Sequence, residues 1–448
     1  MREFASIDEN TSIFHVTMEQ RREKDYRHNG KLLVINGGMV MMAYTFISSD
    51  LVMPAFVQTL TTSSILVGMA GALMRMGWAW PQVFISRVIE PKPRKMPLLI
   101  LAGSARSVMW ILVGILTVLL GRGDPTLFLT LFMILYALGT SMMGVMSVPW
   151  MDIMGKAIPA SQRAKVFAYR RFAGGGMSMA AGILISYILS ERSELVFPDN
   201  YALLFILSGV GTGLAVLTFR MIREPIEKTI RHRLPLKDYL VSGLKIMKDD
   251  VNFRRLCIVQ ILWGFSMMAG PFYVPYGITE LGMGTAYVGM FITAMQFSSV
   301  FSNVAWAWVG RYKGNQALFM YGTCLLALSV LVPLLIVYVP DRTVWVWGTE
   351  VNQRILIYGL TFVFSGAAQS GMYTGRMTYV LDIAPPERRP TYTSFMNMFM
   401  FPQGLLPILA GVLVAWISYR NLFRVALFFI PFAIMVARKL KPVLHQED

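Results

Sequence analysis

Three ionisable side chains, Asp50, Arg75 and Arg106, stand inside long apolar stretches. A charge at bilayer mid-depth costs from ~2.5 to well over ~10 kcal/mol, so each needs a partner or a water-filled cavity. At 1.5 Å per helical residue, Asp50 lies ~12 Å and Arg75 ~16 Å from the short connection that joins their stretches. Similar depth across a tight hairpin predicts an Asp50–Arg75 ion pair. Such a pair suits substrate or proton coupling: an anionic solute that draws Arg75 away leaves Asp50 free to exchange a proton. Arg106, about nine residues into the third stretch, reaches a neighbouring helix carbonyl, snorkels or joins the same substrate machinery. Other chemistry finds no support. His15, His28, His232 and His445 all lie outside the apolar stretches, which rules out a histidine relay within them. No helix-borne Ser/His/Asp set and no phosphate-cradling Gly-Lys-Ser/Thr loop is present, so neither an enzyme nor an ATP-driven pump is expected. Cys257 and Cys324 form no disulfide framework or thiolate site, and no cofactor or metal is expected.

The stretches that must position these residues occur twice. Pro54, Leu60 and Val67-Gly68-Met69 return as Pro275, Leu281 and Val288-Gly289-Met290, each shifted by 221. Ala181-Gly182-Ile183-Leu184-Ile185 returns as Ala410-Gly411-Val412-Leu413-Val414, shifted by 229. A half-length repeat in a chain that is 55% hydrophobic and 15% charged points to a two-bundle membrane protein. The chain has room for about twelve spans of ~20–25 residues. They are predicted at 32–58, 64–85, 97–120, 126–150, 164–189 and 200–222, then 254–279, 285–309, 316–339, 354–381, 391–417 and 421–438. At the 221 shift Asp50 meets Pro271 and Arg75 meets Gln296. Generic fold glue would occur in both halves. A one-sided pair fits coupling better, and Gln296 and Asn397 join Arg75 as candidate polar cavity groups.

The net charge of +16 is distributed by side. About thirty Lys and Arg fall in the N-terminus, alternate loops, the central segment and the C-terminus; about six fall in the remaining loops. The positive-inside rule places both termini in the cytoplasm of a multi-pass cell-membrane protein. Basic residues split among loops make no single face for nucleic acid, so no such partner is expected. The predicted organisation is a cytoplasmic extension at 1–30, a six-helix bundle at 31–222, a linker at 223–253, a second bundle at 254–440 and a tail at 441–448. No apolar run precedes residue 32, so no cleaved signal is expected. Leu236, Leu240, Leu244 and Met247 suit an amphipathic linker helix on the inner leaflet, either a latch between halves or a solvated connection with a lipid-facing stripe.

Between spans two and three the chain reads Ser86-Arg87-Val88-Ile89-Glu90-Pro91-Lys92-Pro93-Arg94-Lys95. Between spans eight and nine it reads Ala307-Trp308-Val309-Gly310-Arg311-Tyr312-Lys313-Gly314-Asn315-Gln316. Both resemble the loop signature of the major facilitator superfamily, a glycine, an acid four residues later, then Arg-x-Gly and a basic pair. Glu90 stands for the acid and Arg94-Lys95 for the basic pair, while Ser86 and Pro93 replace the glycines and Arg311 replaces the second acid. The resemblance covers residues 32 to 438. It implies an all-α membrane protein of twelve transmembrane helices in two pseudo-symmetric six-helix bundles, and two cytoplasmic gate clusters. One comprises Glu90, Arg94, Asp152 and Arg170; the other comprises Arg311, Arg376 and Asp382. Wet ion pairs of ~0–1 kcal/mol can be made and broken in turn. Gly174-Gly175-Gly176 and Gly182 are followed by no proline, so the drug/proton antiporter signature of span five is not met.

Thirty-three methionines could serve Cu(I). Met267-Met268 and Met290…Met295 lack the spacings that copper-handling members resemble, so packing and an adaptable cavity fit better. Asn36, Tyr44, Trp78, Trp80, Gln260, Trp263, Tyr273, Asn303, Tyr373 and Gln403 are further cavity candidates; Trp345 and Trp347 read as an interfacial belt. The expected function is secondary transport of a small organic solute by a monomer embedded in lipid. The alternatives are a lipid or lysolipid mover of the same fold, or a non-transporting sensor or assembly protein.

Overall fold

A computed structural model describes residues 2–89, 92–226, 236–346, 349–385 and 388–441. The first half contains α1 (Arg2–Thr45), α2 (Val52–Leu60), α3 (Ser64–Ile89), α4 (Met96–Leu120), α5 (Pro125–Ala157), α6 (Ala160–Ile188) and α7 (Asp199–Arg220). The linker helix α8 (Leu236–Asp249) precedes α9 (Val251–Met267), α10 (Tyr273–Leu281) and α11 (Tyr287–Leu335). A hairpin, β1 (Thr343–Val346) and β2 (Thr349–Asn352), leads into α12 (Gln353–Tyr358), α13 (Leu360–Ile383), α14 (Arg389–Met400), α15 (Leu406–Ile417) and α16 (Tyr419–Ala437).

Among the described residues, eight segments are long and apolar enough to cross a membrane. One of them, 287–338, holds two of the expected spans, which meet at Gly314, where the backbone is non-helical with a φ of 78° that only glycine adopts freely. The other expected spans are α1–α2, α3 and α6. They are helical too, but α1–α2 is interrupted and α3 and α6 carry Arg75, Arg170 and Arg171 along their length. The layout is consistent with twelve.

Spans one and seven break at equivalent places. α1 stops at Thr45 and α2 resumes at Val52; α9 stops at Met267 and α10 resumes at Tyr273, after a 3-10 turn at Gly270–Phe272. The bounds of α2 and α10 differ by the repeat shift, 273 − 52 = 221 and 281 − 60 = 221. Phe46, Ile47, Phe56, Phe272, Tyr273 and Tyr276 around the two breaks are buried in one core.

The repeated motifs form the seam between the halves. A methyl group at Gly68 on α3 would collide with the Pro407 carbonyl on α15, and one at Gly411 on α15 with the Ser64 carbonyl on α3. Across the other side, Gly182 on α6 and Gly289 on α11 meet each other's backbone in the same way. Lipid offers no hydrophobic drive for helix association, so such close approach supplies it through van der Waals contact. Gln58 donates to Pro275 O at 3.4 Å, Ser186 to Ala286 O at 2.8 Å and Thr285 to Leu189 O at 3.1 Å. These contacts close one end of the molecule, opposite the ends of α7 and α16.

The amphipathic linker helix exists, but its apolar side is shared. Ile246 is buried with Phe253, Tyr392 and Phe395 of the second half, and Met247 packs against the same cluster. Leu244 remains exposed. The expected aromatic belt falls on the β hairpin, which no strand pattern announced. Trp345 pairs in register with Glu350 and is 72% exposed; Trp347 lies outside the described residues.

Candidate substrate cavity and charge pair

A cavity of about 840 Å³ lies between the halves. α1 contributes Met41, Tyr44 and Thr45, its break contributes Ser48 and Ser49, and α6 contributes Arg171, Gly175 and Ser178. From the second half α11 adds Met295, Gln296, Ser299 and Asn303. Its lining is mixed: apolar methionines beside hydroxyls, amides and one guanidinium. The Ser178 hydroxyl is buried with no hydrogen-bond partner among the described residues.

Asp50 and Arg75 meet. The Arg75 guanidinium donates to Asp50 Oδ1 at 2.9 Å, and the side chains are 31% and 23% exposed for Arg75 and Asp50. The break in span one carries Asp50, and α3 brings Arg75 opposite Gly404 in the 3-10 stretch Phe401–Leu405. Ser48, Ser49 and Met74, their sequence neighbours, line the cavity, while Asp50 and Arg75 are not among its lining residues. Pro271, the counterpart of Asp50, packs against Gly71, one turn from Arg75 on the same helix.

A smaller cavity of about 210 Å³ opens inside the first half among α1, α3, α4, α5, α6 and α7. Arg106 and Arg170 both line it. Arg106 is 2% exposed and lies 4.4 Å from the Tyr44 ring centroid. It reaches Tyr44 rather than a helix carbonyl. Arg170 lies 4.8 Å from the Trp150 ring and donates to Asn36 Oδ1 at 3.1 Å and Leu33 O at 3.4 Å. A desolvated cation–π contact is worth ~2 kcal/mol, whereas a guanidinium at bilayer depth costs from ~2.5 to well over ~10 kcal/mol. The rings alone do not balance two such charges.

The description Major Facilitator Superfamily matches residues 33–363 and 355–447. The chain belongs to the Major Facilitator Superfamily. It is therefore a multi-pass membrane protein of a transporter family. Its fold is similar to that of nucleoside transporter NupG, at TM-score 0.64 and 11% identity over 92% of this chain and 98% of that one. A bacterial homologue of the iron transporter ferroportin, in an inward-facing state, aligns at TM-score 0.67 and 13% identity over 92% and 98%. A bacterial homologue of the lysosomal transporter Spinster, inward-facing and unoccupied, aligns at 0.62 and 13% over 92% and 96%. At these identities the likeness is one of fold. Among sequence relatives, the uncharacterized proteins Rv2209 of Mycobacterium tuberculosis and Mb2232 of Mycobacterium bovis are each 20% identical over 248 residues, 55% of this chain. The match spans about half of their length, 46%.

Several of the expected gate residues stand in or beside the loops that carry the superfamily resemblance. Glu90 lies outside the described residues. Arg94 is exposed. Asp152 pairs with Lys156 one turn along α5, the nearest geometry a helix offers it. Arg170 does not join them; its helical phase turns it into the small cavity, and Arg171, about 100° round α6, faces the large one. In the second half Asp382 accepts from Asn315, which also accepts from Thr378 Oγ1 at 2.9 Å. Arg311 lies 5.5 Å from the Tyr312 ring. Arg376 leaves the Asp382 cluster, since six residues along α13 turn it to another face. It contacts the Tyr373 ring at 5.1 Å and Met400 Sδ at 3.8 Å. Asn397 is exposed outside the cavity lining, because its neighbour Met396 takes the buried face of α14.

Two residues outside the predicted site set make long-range contacts. Glu224, just beyond α7, accepts from the Lys95 and Met96 backbone N–H groups at 2.7 and 3.1 Å and so caps α4. Its long-range target left no local signal. Arg171 lines the large cavity and lies 4.5 Å from the ring of Tyr373 in the other half. Of the other cavity candidates, Tyr44, Gln296 and Asn303 line the large cavity, and Asn36, Tyr44 and Trp78 the small one.

Proposed function

We propose that this protein is a secondary active transporter that moves a small organic solute through the 840 Å³ cavity by alternating access. The observation that carries the reading is a mixed polar and apolar cavity at the junction of two repeated halves, with the seam at one end closed by glycine contacts. The excess of Lys and Arg in alternate loops supports cytoplasmic termini in the cell membrane. With that orientation the closed seam is the outer gate. The protein works as a monomer, its 31–222 and 254–440 bundles rocking about the seam while the 223–253 linker joins them.

Asp50 and Arg75 are the coupling pair in this reading. Asp50 sits at the break of span one and Arg75 on α3, each next in sequence to a residue that lines the cavity, and only the first half has the pair. Asp50→Asn or Arg75→Gln, reconstituted in liposomes under solute and proton gradients, is expected to slow transport tenfold or more. Removing one partner strands a charge at a depth where it costs ~2.5 kcal/mol or more. The double variant should therefore melt higher than Arg75→Gln alone while still failing to couple. Full transport by both single variants would sink the coupling role.

A further inference from the structure

We infer that the small cavity of the first half is an oxyanion subsite, built to hold the carboxylate or phosphate group of a small organic anion that enters from the central cavity. This rests on the transport reading of the central cavity and extends it to a class of solute.

Two guanidinia enter one chamber of about 210 Å³, and no carboxylate lines it among the described residues. Arg106 Nε and one terminal nitrogen are buried with no hydrogen-bond partner among those residues. The Thr212 hydroxyl, lining the same chamber, is buried and lacks one too. These donors stand on α4 and α7, with Arg170 on α6 held in place by Asn36 and Trp150. Planar guanidinium forks match the geometry of carboxylate and phosphate oxygens. Val40, Leu99, Val216 and Phe219 give the chamber apolar walls, beside Asn36 and Ser147. A dry cavity of about 150 Å³ admits a benzene ring, so this one has room for a ring or short chain with its acid group. Tyr44 and Met143 line both cavities, and Tyr44 also lies against Arg106. The subsite therefore abuts the transport path through the residue that contacts its main cation.

Calorimetric titration of the full-length protein in phosphatidylcholine nanodiscs tests this, with benzoate and inorganic phosphate as probes. Benzoate is expected to bind saturably, and Arg106→Gln to weaken it at least tenfold. Thr212→Val, which alters no charge, should weaken it severalfold and serves if Arg106→Gln does not fold. In nanodiscs containing phosphatidylglycerol, a headgroup in the subsite would lower the apparent benzoate affinity. Native mass spectrometry would then retain that lipid on the parent protein and lose it from Arg106→Gln, supporting the site with lipid as its source. Absence of binding by benzoate, phosphate and phosphatidylglycerol alike would overturn the inference. So would unchanged benzoate affinity in both variants. Binding is read without flux, so solute transport alongside failed binding would sink this inference alone. Binding without any transport would sink the transport reading and leave the subsite standing.

Discussion

Arg170 and Arg171 are adjacent in sequence and serve different chambers. A helix turns about 100° per residue, so one guanidinium reaches Trp150 within the first half and the other Tyr373 across the cavity. Tyr373 receives two cations, Arg171 at 4.5 Å from one half and Arg376 at 5.1 Å from its own. Each contact is worth ~0.5–2 kcal/mol depending on solvation. Tyr373→Leu should shift the balance between gate states about two- to thirtyfold, seen as a broader spread of inter-half distances on the α13 side in double electron–electron resonance. An unaltered distribution would show that the ring carries no weight in gating. At this scale the sequence shows which side chains need a partner or a cavity, because a charge in an apolar run is conspicuous wherever it points. It was a poor guide to their partners. Asp50 and Arg75 are joined by a short hairpin that fixes them at one depth, so their meeting could be read. The neighbours of Arg170, Arg376 and Asn397 depend on helical phase and tertiary contact, which spacing alone does not supply.

Among the elements, the seam is where repeat and function meet. Gly68 and Gly289 are related by the 221 shift and Gly182 and Gly411 by the 229 shift, and all four lie at backbone-to-backbone approaches between the halves. The conspicuous repeats of the sequence are thus the places where even a Cβ is too much. Gly289→Val would force α11 away from α6 at the closed end. We expect it to depopulate this conformation and raise thiol labelling of a cysteine placed at Ser186; unchanged protection there would contradict the role given to the seam. The breaks in spans one and seven were not announced by a shared residue. One contains Asp50 and the other Pro271, and only the backbone shows that they are the same device. At Gly314 the backbone leaves the helical region and so separates the two expected spans that α11 carries.

For the whole molecule, the two-bundle architecture was legible because long apolar runs, a half-length repeat and alternating loop charge all require it. The two cavities were not, because they are made of space between helices rather than of residues in order. In the proposed mechanism the halves rock about the seam and expose the 840 Å³ cavity to each side in turn. Paired spin labels test this most directly. One pair sits at the exposed Thr59 and Glu280, on α2 and α10 at the seam end; the other sits at the exposed Met151 and Leu381, on α5 and α13 at the opposite end. With Cys257 and Cys324 replaced by serine, distances are measured by double electron–electron resonance across solutes and pH. The account predicts two populations for each pair, exchanging reciprocally: where Thr59–Glu280 lengthens, Met151–Leu381 shortens. A single invariant distance at both ends under every condition would contradict it.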